Sequence, residues 1–315
     1  MHAGLQARSA VTSMQRKTRL DALFFHTQVT ATLSTDLLRS IPSIISLDAT
    51  PLQYDDLGEF YQHSSGPDWF EGLKYRLNQI CFQSAHHLVT WSQWAKDSLV
   101  DDYGIDPEKI SVIPPGVNIK EWSRPDDRNG DNSTVKILFV GSDLKRKGGY
   151  DLLKAVRNLR NEENLLGGTR PDIQLHLVTK ENLPEESGLH IYNDLQPNSP
   201  TLKQLYHECD IFCLPTYGDC LPMVLSEAGA AGMPIISTAV AAVPELVCDG
   251  ETGYLVPVGD IRSLRDAIRK LSDEPALRHR LGEDALSFVE RFHDAEQNTD
   301  LLLDLLKQTA AGMSN

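Results

Sequence analysis

Two acidic residues beside a predicted phosphate site, Asp219 and Glu227, are the first candidates for chemistry. Asp219 lies in a loop after a short apolar run, residues 210–215, which predicts a buried strand ended by proline. Glu227 lies within residues 221–231, whose apolar spacing predicts a helix. Ligands bind at the carboxyl ends of parallel strands and a helix N-terminus attracts anions, so this loop suits a diphosphate. The two carboxylates would accept hydrogen bonds from neighbouring sugar or ribose hydroxyls.

A second loop carries positive charge. Residues 135–141 predict a strand that runs into Lys145, Arg146 and Lys147, followed by two glycines and a predicted helix at residues 150–159. Glycines let the backbone approach a ligand closely, and the cations offset phosphate charge. The loop is therefore a second candidate for contact with a polyphosphate.

Plainer interpretations remain open when each of these residues is taken alone. An acid near a helix N-terminus often only caps the helix, and a glutamate within a helix is usually solvated. Three basic residues in one loop are also usually solvated. The residues alone do not decide between these interpretations and a binding site.

The alternation of strands and helices predicts an α/β protein with doubly wound parallel sheets. The first part has predicted strands at 21–27, 42–48, 87–92 and 109–113, helices at 33–38, 68–85 and 93–103, and a loop at 50–55. The second part adds strands at 174–178, 189–192 and 235–238, and helices at 201–207, 261–272, 275–291 and 294–308. The expected apolar face of the helix at 68–85 consists of Trp69, Leu73, Leu77, Ile80 and Cys81.

Composition excludes several classes of function. The 315 residues suffice for two domains with separate cores, and the net charge of −14 argues against a nucleic-acid-binding surface. The sequence contains no run of about 18 apolar residues, so it predicts no membrane-spanning helix. The basic N-terminus lacks the apolar segment of a secretion signal. Five cysteines without paired spacing indicate reduced thiols in a cytoplasmic protein.

The stretch from Asp219 to Pro234 resembles the signature of the retaining glycosyltransferases of family four. That signature is an acid, seven residues and a glutamate, followed by small residues, Gly-x-Pro and a strand. Here Asp219 takes the first position, where glutamate is usual, and Glu227 takes the second. Residues 91–96, 107–117 and 243–260 are also similar to family segments.

The basic loop is similar to the family pattern Gly-Arg, four residues, Lys-Gly. Gly141, Lys147 and Gly148 match this pattern, whereas Ser142 occupies the position where arginine is usual. That phosphate contact is therefore in question, and Arg146 is the candidate to replace it because its guanidinium suits bidentate phosphate binding.

The resemblance implies a GT-B fold, in which two Rossmann-like doubly wound domains face a cleft. It also implies transfer of a sugar from a nucleoside-diphosphate sugar to an acceptor hydroxyl, with retention at the anomeric carbon and without a metal or other cofactor. The catalytic candidates are His26, which ends a strand as a family histidine does, and Asp219. A loop histidine with an ordinary hydrogen bond is the alternative for His26, and Asp48 is a weaker candidate. The donor-binding candidates are Gly141, Arg146, Lys147, Asp219, Leu221, Met223, Val224 and Glu227.

The predicted domains are an acceptor-side domain at 1–117, a linker at 118–134, a donor-binding domain at 135–293 and a returning helix at 294–315. The first domain has four predicted strands, fewer than the family usually has, and lacks an initial strand with a glycine-rich turn. The sequence therefore predicts a chain truncated at its start, which binds the donor, transfers sugar slowly and tends to self-associate.

Two other functions fit the same residues. One is a catalytically impaired module that binds sugar nucleotides, and the other is a GT-B sugar-nucleotide epimerase. For the transferase, the expected partners are a nucleotide-sugar donor and a carbohydrate or lipid-linked acceptor, with no nucleic acid. The expected location is the cytoplasm, with peripheral membrane contact compatible with a lipid-linked acceptor.

Overall fold

The chain forms two compact units in a computed structural model that describes residues 2–58, 66–124, 133–166 and 170–312. The first unit comprises Met1–Pro115 together with Glu296–Asn315, and the second comprises Gly116–Ala295. Among the described residues, no helix is long and apolar enough to cross a membrane. The five cysteines are free thiols.

The first unit is a four-stranded parallel sheet with the strand order β1-β2-β3-β4, as the four predicted strands require. Its core is apolar on both sides of β2, whose five residues are all buried. Its elements are α1 (His2–Gln15), β1 (Leu23–Phe25), α2 (Gln28–Ala31), α3 (Thr35–Ser40), β2 (Ser43–Leu47), α4 (Pro51–Asp56), α5 (Asp68–Ser84), β3 (His87–Thr90), α6 (Gln93–Asp101) and β4 (Ile110–Val112).

The predicted loop at 50–55 is wrong, because residues Pro51–Asp56 form α4. Thr50 caps this helix: its side chain accepts a hydrogen bond from the Gln53 N–H, and the Gln53 side chain accepts one from the Thr50 N–H. This reciprocal pair satisfies two backbone donors that would otherwise lack partners, and Pro51 at the first helical position has its φ already set. The capping pair therefore nucleates a helix in a segment whose polar content favoured a loop.

The predicted apolar face of α5 is also wrong for most of its members. Trp69, Leu73, Leu77 and Ile80 are 73%, 48%, 41% and 42% exposed, and only Cys81 of the five is buried. The buried face instead carries Asn78, Cys81, Phe82 and Ser84. The helix has apolar residues on more than one side, and it packs on the unit through the side that holds Phe82.

The second unit is a six-stranded parallel sheet with the strand order β10-β9-β8-β5-β6-β7. Successive strands of the chain run outwards from β5 in one direction and from β8 in the other. Its elements are α7 (Ile119–Trp122), β5 (Thr134–Val140), α8 (Gly149–Leu166), β6 (Asp172–Val178), β7 (Leu189–Tyr192), α9 (Pro200–Glu208), β8 (Ile211–Leu214), α10 (Met223–Ala230), β9 (Ile235–Thr238), β10 (Gly253–Val256), α11 (Ile261–Asp273) and α12 (Pro275–Phe292).

Strand β10 was not predicted from the sequence. It pairs with β9 in parallel from Gly253 to Val256, and a Cβ at Gly253 would collide with the backbone of Ile235. The last helix, α13 (Ala295–Ala311), belongs almost entirely to the first unit. It starts after the short parallel bridge between Val117 and Asp294.

A buried histidine on β6 makes the second unit sensitive to acid. His176 is 6% exposed, is bonded through Nδ1 to the Tyr192 hydroxyl at 3.0 Å and stacks on His190. Burial, followed by the neighbouring His190 and Lys136, lowers the pKa of His176 to about 4, while Glu208 and Asp210 oppose this shift. The unfolded chain therefore binds a proton that the folded chain excludes between about pH 6.5 and about pH 4.

We expect His176 to cost the fold up to about 3 kcal/mol of stability as pH falls through this window, because the folded state excludes the proton that the unfolded state takes up. The measurement is urea unfolding at about pH 7, 5.5 and 4.5, with His176→Phe compared with the wild type. The variant should lose less stability on acidification. Exposed His279 on α12 provides the control, since His279→Gln should leave the pH profile unchanged. Parallel profiles for His176→Phe and the wild type would contradict the prediction.

Candidate functional site

The loops after β5 and β8 meet at the point where the strand order of the second unit reverses. In such sheets the crevice for a ligand opens at the carboxyl ends of the two central strands. The backbone N–H of Tyr217 donates to Arg146 O at 2.8 Å, and the Arg146 guanidinium donates to Gly218 O at 2.9 Å. These bonds join the two loops that carry the predicted site residues.

Gly148 permits this close approach. Its φ of +74° lies in the left-handed region, and a Cβ there would collide with the carbonyl oxygen of Pro215 at the end of β8. Glycine is the residue that adopts this conformation without a steric penalty. The match of Lys147-Gly148 to the family pattern therefore has a physical cause in the contact between the two loops.

Lys147 and Asp219 form an ion pair inside this junction. The Lys147 ammonium contacts Oδ2 of Asp219, and the two side chains are 15% and 13% exposed. Burial, followed by the nearby Arg146 guanidinium, lowers the pKa of Lys147 to about 7. The contact with Asp219 acts in the opposite direction, because a neighbouring carboxylate favours the charged ammonium. A buried cation paired with one carboxylate can exchange that partner for an anionic ligand.

Glu227 lies one turn into α10 and faces a different partner. The hydroxyl of fully buried Tyr206 donates to its Oε2 at 2.8 Å. Burial raises the pKa of Glu227, while the bond from Tyr206 and the charge of Lys203 oppose the shift. Glu227 accepts from Tyr206 whereas Asp219 pairs with Lys147, so the two predicted acids have different partners.

The start of α10 contributes backbone rather than side chains. Pro222 precedes the helix without a side-chain cap, Leu221 is buried, and Met223 and Val224 form the first turn. The first backbone N–H groups of a helix have no partner within it and carry a partial positive charge. They are therefore available to an anion beside the Asp219 loop.

Gly141 continues the pairing of β5, since its N–H donates to Val178 O at 2.9 Å. A Cβ on Gly141 would come within 3.1 Å of the Lys147 side chain. Ser142, which follows it, is exposed. Arg146 is engaged with Gly218 and lies 3.8 Å from Asp143, so its charge serves the loop junction.

The first unit has its own group of polar side chains at the carboxyl ends of β1, β2 and β3. His26 follows β1, is exposed, and its ring centroid lies 5.4 Å from that of Trp91, which follows β3. Asp48 follows β2 and accepts hydrogen bonds from the Tyr54 hydroxyl at 2.7 Å and from the Ala49 N–H. Adjacent parallel strands place these residues at one edge of the sheet.

The structure thus pairs Lys147 with Asp219 and bonds Arg146 to the neighbouring Gly218, with Gly141 beside Lys147 and Glu227 on the helix that follows. Sequence reasoning missed Tyr206. An aromatic residue in a predicted helix usually belongs to the core, and no local signal gives the partner of its hydroxyl. Among the described residues, no three His, Cys, Asp or Glu side chains are grouped so that they could hold a metal ion.

The sequence of the chain matches two family models of known proteins. Residues 122–288 match the family model described as "Glycosyl transferases group 1", a span that contains every site residue of the second unit. The chain belongs to this family. Residues 2–121 match the model "Glycosyltransferase Family 4". The family resemblance predicted from the motifs is therefore confirmed.

Relatives and solved structures agree with this placement. The D-inositol 3-phosphate glycosyltransferases of Corynebacterium kroppenstedtii and Corynebacterium glutamicum (strain R) are 29% and 31% identical over 73% and 68% of this chain. The chain spans 56% of the length of each.

Sucrose-phosphate synthase from Thermosynechococcus elongatus superposes with a TM-score of 0.76 at 20% identity, covering 96% of this chain and 77% of that one. Anabaena Alr3699/HepE, solved in complex with UDP-glucose, gives 0.69 at 16% identity, covering 91% and 79%. The predicted α/β class with a GT-B fold is confirmed.

Proposed function

We propose that this protein transfers a sugar from a nucleoside-diphosphate sugar to an acceptor hydroxyl, with retention at the anomeric carbon. The observation that carries the proposal is the Lys147–Asp219 pair at the reversal of the strand order, beside the start of α10. A cation and backbone N–H groups lie there and would bind the diphosphate. The carboxylate beside them would accept hydrogen bonds from the sugar. Glu227 lies further along the same helix, at a position suited to the ribose.

The barrier to such a transfer is departure of the diphosphate and growth of positive charge on the sugar. Lys147 would replace its bond to Asp219 with one to the leaving phosphate, and the N–H groups of Met223 and Val224 would add to this stabilisation. Asp219, once released, would accept from a hydroxyl of the donor sugar. These groups would stabilise the negative charge of the leaving diphosphate without a metal, so EDTA should leave transfer unchanged.

His26 is the proposed catalytic residue of the first unit. Its support is its place at the carboxyl end of β1, beside Trp91 and near the end of β2, and the match of residues 2–121 to a glycosyltransferase model. His26→Ala should lower the transfer rate and leave nucleotide binding in the second unit unchanged.

The test is a thermal-shift panel of UDP-, GDP- and ADP-sugars, since a ligand that binds the folded protein raises its unfolding temperature. The stabilising donor is then incubated with candidate acceptors, and the anomeric configuration of the product is read by NMR. A product with the configuration of the donor supports the proposal. Inversion contradicts retention, and the absence of stabilisation by every sugar nucleotide contradicts the proposed function as a whole.

The low pKa of Lys147 predicts the pH dependence of donor binding. The diphosphate needs the charged ammonium, and burial lowers the pKa of Lys147 to about 7, while the paired Asp219 carboxylate opposes this shift. Affinity for a sugar nucleotide should therefore fall as pH rises, by roughly tenfold per pH unit well above that pKa. Titration calorimetry between about pH 6 and about pH 9 measures this slope. Lys147→Arg should flatten it, because arginine stays charged throughout; an equal slope in that variant would contradict the prediction.

A second candidate, a module that binds sugar nucleotides without transferring sugar, has one observation in its favour. Ser142 replaces the usual arginine, and the Arg146 guanidinium bonds to Gly218 O. The position of one cation that would bind phosphate thus holds a serine, and the nearby Arg146 holds the two loops together instead. Stabilisation by a sugar nucleotide, combined with no transfer to any acceptor, would favour this candidate; interconversion of the sugar without an acceptor would favour an epimerase.

We propose a carbohydrate or lipid-linked acceptor and action in the cytoplasm, with peripheral membrane contact. Free thiols at all five cysteines support a reducing compartment. Exposed apolar side chains on α5, among them Trp69 and Leu73, support contact with an apolar surface. Sedimentation with lipid vesicles tests this contact, and no sedimentation would contradict it.

A further inference from the structure

Tyr206 is buried behind Glu227 and is held from three sides. Its hydroxyl donates to Oε2 of Glu227 at 2.8 Å. Its ring stacks on Phe212 with centroids 5.5 Å apart and meets Trp122 edge-on at 5.0 Å. The two aromatic contacts come from β8 and α7, so the position of the hydroxyl is fixed independently of α10.

We propose that Tyr206 is a positioning residue for ribose recognition, which holds the Glu227 carboxylate in one orientation and occupies Oε2, leaving Oε1 to the ribose hydroxyls. The inference rests on the proposed function, since it presumes that a nucleotide binds at Glu227. It assigns a role to a residue on α9, outside the motif that spans Asp219 to Glu227.

The chemistry requires such a partner. An ionised carboxylate only accepts, whereas protonation turns one oxygen into a donor, and burial of Glu227 works against ionisation. A hydrogen bond from Tyr206 favours the ionised form and removes freedom that ribose binding would otherwise have to restrict. A tyrosine that merely filled the core would be replaceable by phenylalanine without any change in ligand selectivity.

The experiment compares two ligands on two proteins. The panel identifies the sugar nucleotide that stabilises the wild type. Its nucleoside diphosphate and the 2′,3′-dideoxy analogue of that diphosphate are titrated into wild type and Tyr206→Phe. We expect about tenfold weaker binding of the ribose form to the variant and less than twofold change for the dideoxy form. The matched control is Tyr192→Phe, which removes the hydrogen bond of another tyrosine hydroxyl, that of half-buried Tyr192 to His176, within the same unit.

Equal losses for both ligands, or no loss for either, would overturn the inference while leaving the proposed function in place. Failure of wild type to bind any sugar nucleotide or nucleoside diphosphate would overturn both. If Tyr206→Phe does not fold, Trp122→Leu serves instead, because it keeps the hydroxyl and removes one ring that fixes it. That variant should show the same selective loss for the ribose form at smaller size, and an unselective loss would overturn the inference.

Discussion

Lys147→Met is expected to weaken binding of a nucleoside diphosphate by about 10- to 100-fold, while binding of the nucleoside changes little. The reason is that Lys147 is a largely buried cation in the loop after β5, and a hydrogen bond to a charged group contributes about 1.5–3 kcal/mol. The nucleoside carries no phosphate and loses nothing. Isothermal titration with the two ligands at about pH 6, where the lysine is charged, gives the comparison.

Lys145→Met is the matched control, because Lys145 is an exposed lysine of the same loop. Its removal takes away the same formal charge and should change affinity by less than about threefold, since exposed charges are screened by water. Equal losses for nucleoside and nucleoside diphosphate in Lys147→Met would show that Lys147 only supports the loop junction. Equal effects of the two variants would show that only net charge matters.

Under the proposed function, the pairing of Lys147 with Asp219 would let one site bind phosphate and sugar together. In the free protein each residue satisfies the other, and both side chains are largely withdrawn from water. A diphosphate that takes the lysine leaves the aspartate in need of a donor, and a sugar hydroxyl supplies it. A nucleoside diphosphate without a sugar leaves the aspartate unpaired, so the pair favours the complete donor.

Much of the fold followed from sequence because parallel strands in α/β proteins are short apolar runs with clear punctuation. The apolar segment that became β8 ends at Pro215, and the predicted helix at 93–103 is α6, which Ser92 caps by accepting from Ala95 N–H. The helix α4 was missed although Thr50, Pro51 and Gln53 carried its start signal. There the polar content of the segment was weighted above the capping pair.

The orientation of α5 could not be predicted from spacing alone. Helical periodicity identifies an apolar stripe, but α5 has several apolar residues outside the stripe that packs, and tertiary contacts choose between the sides. Phe82 became the buried anchor and Trp69 was left exposed. In a helix with two apolar stripes, the elements packed beside it decide which stripe is buried.

The candidate site, like the fold, could be predicted only in part from the sequence. Lys147 and Asp219 are 72 residues apart, and their contact follows from the strand order that places β5 beside β8. The general rule for parallel sheets predicted that both loops lie at the carboxyl edge, and the family motif supplied the candidate residues. The bond from Tyr206 to Glu227 depends on the packing of α9 against α10 and β8, which no spacing along the chain reveals.

Glu227→Ala is expected to abolish measurable donor binding and to lower the free energy of unfolding by about 1–3 kcal/mol. Binding is lost because the carboxylate that would accept from the ribose is gone. Stability falls because the hydroxyl of Tyr206 is left buried without its acceptor, and an unsatisfied buried polar group costs about that much. Thermal-shift titration with the sugar nucleotide and urea unfolding measure the two effects.

Glu227→Gln separates the two effects, since its amide oxygen can still accept from Tyr206 while its nitrogen can only donate to the ribose. We expect this variant to unfold within about 1 kcal/mol of wild type and to bind the donor at least about tenfold more weakly. Binding at the level of wild type in Glu227→Gln would remove Glu227 from the nucleotide site and leave it as a partner of Tyr206 alone. Loss of stability equal to that of Glu227→Ala would instead show that the negative charge itself holds the tyrosine.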